Sequence, residues 1–301
     1  MPGEAAGGAA HSLTTAPVWR VRSRIVSLER PIVVGVLNIT PDSFSDGGDF
    51  FSPAAALLGA EQMLADGADV LDIGGESTRP GSAGVAEDEE LRRVLPVIEA
   101  LRERFPEAIL SVDTVKSAVA GAALEAGAHI VNDVSATRLD ARMAAVCAQH
   151  GAGLILMHSR GAVADMASYE LARYGADVVG EIASELEERT SAARAAGVEA
   201  ACIVLDPGIG FSKRSGDSLA AVAGLPALAA LGYPVMVGVS RKRVIGEITG
   251  VSEPKERVMG TVGVHVAALM RGARLFRVHD VREHRQALDA AWAVLRAGGS
   301  S

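Results

Sequence analysis

Short β-branched apolar runs alternate along this chain with longer segments in which apolar positions recur at helical spacing. The runs cover residues 32–37, 70–73, 109–112, 130–132, 154–157, 203–205, 235–237 and 275–278. They are continuous rather than alternating, bounded by polar or glycine residues, and too short to be helices, so they read as parallel strands buried on both faces. A segment rich in Ala, Leu and charge follows each one, over 53–66, 88–105, 116–126, 140–150, 176–196, 216–231, 255–271 and 281–296. Eight strand–helix units with no Pro-, Gly- or Ser-rich linker between them predict one α/β domain closed as a single (β/α)8 barrel over 25–301. A doubly wound open sheet would place a G-x-G-x-x-G turn after its first strand, and the stretch NITPDSFSDGG that follows Leu37 lacks that order. Residues 1–24, small and polar in most positions, are expected to form a flexible N-terminal tail.

Composition narrows the function classes. The chain has 301 residues, 49% of them hydrophobic, enough to bury a barrel-sized core. A net charge of -8 with only 4% aromatic residues is the opposite of a nucleic-acid surface, so an anionic ligand would need a local cationic pocket. Every apolar run is broken well short of membrane length, which predicts a soluble protein with no membrane partner. The two cysteines, Cys147 and Cys202, lie in apolar segments without Cys or His at metal-site spacing. They read as buried thiols in a reducing, cytoplasmic setting.

Barrel active sites are built from the carboxyl ends of the strands. Here those ends carry Asn38; Asp72, Glu76, Thr78 and Arg79; Asp113; Asn132 and Asp133; Met157 and His158; Asp206 and Phe211; Ser240, Arg241 and Lys242; and Arg277, His279 and Asp280. A polar residue in any one of these places could simply cap the next helix. Eight sets in one barrel mouth point to a ligand site. Pro41 stops the first strand and opens a long polar loop bearing Phe44, and such a loop in a compact domain is functional or disordered.

The strings GVLNITPDSFSDGG, DIGGESTRPG, SVDT, NDVS, LMH, DPGIGF, SRK and RVHDV occur in this order between Gly35 and Val281. In these motifs the chain resembles the dihydropteroate synthase family of pterin-binding barrels. The resemblance implies a transferase of folate biosynthesis, a sulfonamide target, that joins 7,8-dihydropterin-6-ylmethyl diphosphate to 4-aminobenzoate and releases diphosphate. It further implies Asp113, Asn132 and Asp206 at the pterin edge with Lys242 donating to it, Met157 on one ring face and Arg277 against the other. Asn38, Arg79, Arg277 and His279 would hold the diphosphate, with Asn38 a ligand of Mg²⁺. Phe44, Thr78, Pro80, Phe211 and Lys242 would take the aminobenzoate. Asp46, Lys242 and Arg277 would be the catalytic residues of a dissociative displacement through a pterin cation. The loops after the first two strands look like covers of the aminobenzoate site, and a homodimer through outer helices near the end of the barrel is a family expectation. RSGDSLAAV after DPGIGFSK, and Arg243 after Lys242, depart from many members, the second leaving open whether Arg243 contacts the aminobenzoate carboxylate. A pterin-binding methyltransferase would share the Asp and Asn contacts but have no use for the diphosphate groups. A noncatalytic relative would have lost Lys242, Arg277 or Asp46.

Overall fold

The computed structural model describes residues 18–39, 53–77, 84–166 and 168–298. The chain enters through an antiparallel hairpin, β1 (Val18–Val21) and β2 (Arg24–Ser27), turned at Arg22, which takes a left-handed φ of 60°. The barrel strands follow: β3 (Ile32–Asn38), β4 (Val70–Gly74), β5 (Ile109–Asp113), β6 (Ile130–Asp133), β7 (Gly153–Met157), β8 (Ile203–Asp206), β9 (Met236–Val237) and β10 (Leu275–Val278). All pair in parallel in the order β8-β7-β6-β5-β4-β3-β10-β9. Closure comes from a parallel bridge between Leu205 and Val235, beside a bond of 2.9 Å from the Leu205 amide to the Pro234 carbonyl.

Helices α1 (Pro53–Ala65), α2 (Glu87–Arg104), α3 (Ser117–Glu125), α4 (Met143–His150), α5 (Val163–Met166), α6 (Val178–Ala195), α7 (Ser215–Ala223), α8 (Leu225–Ala229), α9 (Arg243–Thr249), α10 (Val258–Met270) and α11 (Val281–Gly298) surround the strands. Outward strand residues such as Leu71, Ile73, Leu110, Leu154 and Leu205 pack beneath them in the larger apolar core. A second apolar cluster fills the lower barrel interior, where Ile32, Val34, Val70, Ile130, Ile155, Val204, Met236 and Leu275 meet Trp19 and Val21 of the hairpin. Each large apolar side chain so removed from water contributes roughly 1.5–3 kcal/mol.

The fold corrects several expectations. Residues 18–24, expected as tail, belong to the hairpin that plugs the barrel floor; Trp19 is fully buried and its Nε1 donates to the Cys202 carbonyl at 2.8 Å. Two buried residues in β1 and one in β2 are too faint a periodic signal to separate from a polar tail. The helix expected over 216–231 is two, α7 and α8, broken at Gly224, where a side chain would meet Val179 at 2.5 Å and where Pro226 enters the next helix. The segment expected as one helix over 255–271 starts as a 3-10 turn, Pro254–Arg257, before α10. Helices α5 and α9, each under eight residues, are too short for periodicity to show. Cys147 and Cys202 are buried free thiols, as expected.

Candidate active site

Side chains alternate along a strand, so the residue two places after an inward-facing one also faces inward. Two places beyond the apolar floor, the barrel interior changes character. Val70 gives way to Asp72, Ile109 to Ser111, Ile130 to Asn132, Ile155 to Met157, Val204 to Asp206, Met236 to Gly238 and Leu275 to Arg277. Five of these seven positions turn polar at one height, which creates the site, while Met157 and Gly238 do not.

Arg277 organises that layer. Its Nε donates to Asp72 Oδ2 and its Nη2 to Asp113 Oδ2, both at 2.6 Å. Asn132 Nδ2 also donates to Asp72 Oδ2, at 2.9 Å. Asp72 Oδ1, Asn132 Oδ1 and Ser111 Oγ remain buried without a hydrogen-bond partner among the described residues. Buried acceptors left unpaired are costly, which marks this layer as one built to receive donors from a ligand. Burial pushes the Asp113 carboxyl up to about 7 against the pull of Arg277, with Asp72, Glu90 and Asp133 adding to the rise. Burial also raises Asp206, opposed by Lys242 and by the Gly208 amide, which donates to Asp206 Oδ1 at 2.7 Å.

The opposite wall comes from the loops after β8 and β9. The Lys242 ammonium donates to the Ile209 carbonyl at 2.6 Å and lies 4.2 Å from the centre of the Phe211 ring. Gly208 and Gly210, at φ 67° and 78°, make the tight path of that loop. Helix α10 pins the loop after β9: Thr261 Oγ1 accepts from the Arg241 amide at 3.2 Å, and His265 Nε2 from the Val239 amide at 3.3 Å. Arg241, with a left-handed φ of 58°, pairs through Nε with Asp280 at 2.9 Å. Ser240 Oγ stands 3.0 Å from His279 Nδ1 and accepts the His279 amide at 3.1 Å.

The two lysines of this wall, Lys213 fully buried and Lys242 half-buried, carry a measurable consequence. Burial holds Lys242 and Lys213 down to about 7, from the ordinary 10.5. Above pH 7 the folded protein therefore binds fewer protons than the unfolded chain, so both groups make stability rise with pH. Cys147, pushed up to about 12 by burial from the ordinary 9.0, acts the other way only above about pH 9. The urea midpoint is expected to climb between pH 7 and 9, by at most about 1.4 kcal/mol per pH unit for each lysine. Lys242→Met should flatten the climb, and a midpoint that falls over this interval in the native protein would contradict the burial of both charges.

Of the residues expected at the site, the barrel brings Asp113, Asn132, Met157, Asp206, Phe211, Lys242 and Arg277 together at the carboxyl ends of its strands. Met157 and Phe211 share a small apolar cluster with Val115, Val134 and Met166. Asn38 stands at the mouth, where a side chain on Gly74 would come 3.7 Å from Asn38 Oδ1 and 3.8 Å from Asp113 Oδ2. His279 lies beyond Arg277 against Ser240. Phe44, Asp46, Thr78, Arg79 and Pro80 lie outside the described residues. Sequence reading assigns no site role to Asp72, the shared acceptor of Arg277 and Asn132, although an acid inside an apolar strand is a visible signal. It also misses Lys213, whose surroundings only the folded chain assembles.

Comparison with known proteins adds a separate line. A family model described as pterin binding enzyme matches residues 34–279. A dihydropteroate synthase of Bacillus subtilis (strain 168) is 41% identical over 292 residues, which is 97% of this chain and 98% of that one. A solved dihydropteroate synthase of Xanthomonas albilineans with 4-aminobenzoic acid superposes with a TM-score of 0.86 at 44% identity, covering 94% of this chain and 99% of the other. A structure of the Xanthomonas albilineans synthase in complex with 7,8-dihydropteroate gives a TM-score of 0.83 at 42% identity over 93% and 99% of the two chains.

Proposed function

The chain belongs to the dihydropteroate synthase family of pterin-binding enzymes, and from that premise we propose that it joins 7,8-dihydropterin-6-ylmethyl diphosphate to 4-aminobenzoate by a dissociative displacement. The observation that carries the reading is the polar layer around Arg277, whose buried, unpaired acceptors suit the donor-rich edge of a flat heterocycle. Asp113, Asn132 and Asp206 take that edge, Lys242 donates to it, and Met157 covers one ring face. Arg277, already held by two carboxylates, lies against the other. A pterin so bound is electron-rich, and the carboxylates around it stabilise positive charge at its exocyclic carbon as the bond to diphosphate breaks. Asp46 adds to that stabilisation.

Diphosphate meets Arg79, Arg277 and His279 at the mouth. No group of three or more His, Cys, Asp or Glu among the described residues could hold a metal ion. One amide oxygen, Asn38 Oδ1, at the carboxyl end of β3 fits an ion whose remaining ligands are phosphate oxygens, which is the usual manner of Mg²⁺. Bound there, Mg²⁺ would neutralise charge on the leaving group. The aminobenzoate ring takes the slot of Phe44, Pro80 and Phe211, with Thr78 beside it and its carboxylate toward Lys242.

Two further readings complete the proposal. No helix among the described residues is long and apolar enough to cross a membrane, in keeping with a cytoplasmic enzyme. Helices α10 and α11 expose Met259, Met270 and Val294, a face suited to a homodimer.

Incubation with the pterin diphosphate, 4-aminobenzoate and Mg²⁺ is expected to yield diphosphate and dihydropteroate in equal amounts. Absence of both products would overturn the assignment. Sulfonamides, which copy the aniline and place a sulfonyl at the carboxylate position, should raise the KM for 4-aminobenzoate without competing against the pterin. Competition with the pterin diphosphate instead would count against the Phe211 and Lys242 slot.

A further inference from the structure

Lys213 is fully buried. Its Nζ lies 2.7 Å from His158 Nδ1, 3.1 Å from the Phe211 carbonyl and 3.4 Å from the His158 carbonyl. None of these partners is a carboxylate, so the charge is not kept by a direct ion pair. His158, which burial holds down to about 4, is neutral at pH 7 and passes the contact on, with Nε2 at 3.0 Å from Glu185 Oε2. Glu185 is more than one-third exposed and, with His158 and Met157, lines a cavity of about 250 Å³. The row Lys213, His158, Glu185 thus runs from the interior to solvent.

A lysine needed only to fill space here would be better replaced by an apolar side chain of the same length, since an enclosed ammonium is costly. Its position explains its presence. The loop after β8 folds so closely over the end of β7 that a side chain on Gly208 would collide with the His158 carbonyl oxygen. The His158 amide in turn donates to the Asp206 carbonyl at 2.9 Å. Lys213 sits at that joint and grips a carbonyl from each side of it. One of those carbonyls belongs to Phe211, whose ring faces Lys242.

We propose that Lys213 is a positioning residue: through the Phe211 carbonyl it sets the aromatic wall of the aminobenzoate slot, and through its charge it helps keep Asp206 an acceptor. The proposal rests on the reading of Phe211 and Asp206 given above. The charged or polar groups facing the ammonium are Asp206 and Glu185, which hold its proton on, Lys242 and Arg160, which push it off, and the Tyr174 ring at 5.8 Å. Burial outweighs them and brings the group down to about 7, so that about half of it is still charged at that pH.

Lys213→Met tests it. The expected result is a KM for 4-aminobenzoate raised about tenfold and pterin diphosphate affinity lowered several-fold, with Tm unchanged or higher because a buried charge is gone. Lys213→Gln, which keeps a donor without charge, should recover most of the aminobenzoate KM and little of the pterin affinity. Unaltered constants for both substrates in folded Lys213→Met would overturn the proposal. If Lys213→Met does not fold, the native protein decides. The chain has four lysines, so their ε-carbon resonances can be followed singly, and the one that responds to Glu185→Gln should change its apparent pKa when a pterin ligand is bound. A resonance indifferent to pterin would equally overturn it. Failure of the underlying function would be recognised separately, as native protein that forms no dihydropteroate.

Discussion

Arg277→Met is expected to cost the protein both stability and its pterin site. The guanidinium is the common counter-charge of Asp72, which is fully buried, and of Asp113, each 2.6 Å away. Removing it leaves two carboxylates in the barrel interior with no cation between them. Breaking a buried ion pair from one side costs about 3–5 kcal/mol, which lowers Tm by on the order of 10 °C in a chain of this size. The Asn132 side chain, held by the same Asp72 oxygen, loses its orientation with it. Turnover should fall at least about 100-fold, as when a preorganised charge is taken from a reacting centre. Urea unfolding and calorimetric titration with a pterin ligand check both halves. Pairing the substitution with Asp72→Asn should return part of the stability, since one of the two stranded charges is removed, and none of the turnover. A single variant that unfolds at the native midpoint would show that Arg277 does not carry the layer.

Asp206→Ala should behave differently, losing the ligand while keeping the fold. Its carboxylate spends one oxygen on the Gly208 amide, and burial already works against its charge. Truncation therefore relieves a cost as it forfeits one hydrogen bond, and stability should change by no more than about 1–2 kcal/mol. The pterin edge, by contrast, loses a charged acceptor. Two charge-assisted hydrogen bonds are together worth about 3 kcal/mol or more, so affinity should drop by at least about two orders of magnitude. Calorimetry on a variant with native circular dichroism reads this directly. Undiminished pterin binding would remove Asp206 from the site.

Asp206 and Arg277 are legible in the sequence because each is a charged residue in the last two positions of an apolar strand, where the barrel must open to solvent. The same logic marks Asp113, Asn132 and Lys242. Asp72 is visible among the same polar strand ends but without a role: only the folded chain shows it as the acceptor shared by Arg277 and Asn132. Lys213 is hidden more deeply. A lysine two residues after Phe211 looks like a surface residue, and only the approach of the β7 and β8 loops encloses it.

The order of strands and helices, the closed parallel sheet and the set of polar strand ends were determined by the sequence itself, because they follow from local periodicity and from where apolar runs stop. Those are nearest-neighbour properties of the chain. The hairpin that plugs the floor with Trp19, the break between α7 and α8, the sharing of Asp72 by Arg277 and Asn132, and the burial of Lys213 were decided only by tertiary structure. Each depends on residues far apart in the chain meeting at one distance, as Arg277 and Asp72 do across 205 positions. Local pattern carries no information about such a meeting. It is settled when the barrel closes and low dielectric makes every unpaired charge expensive.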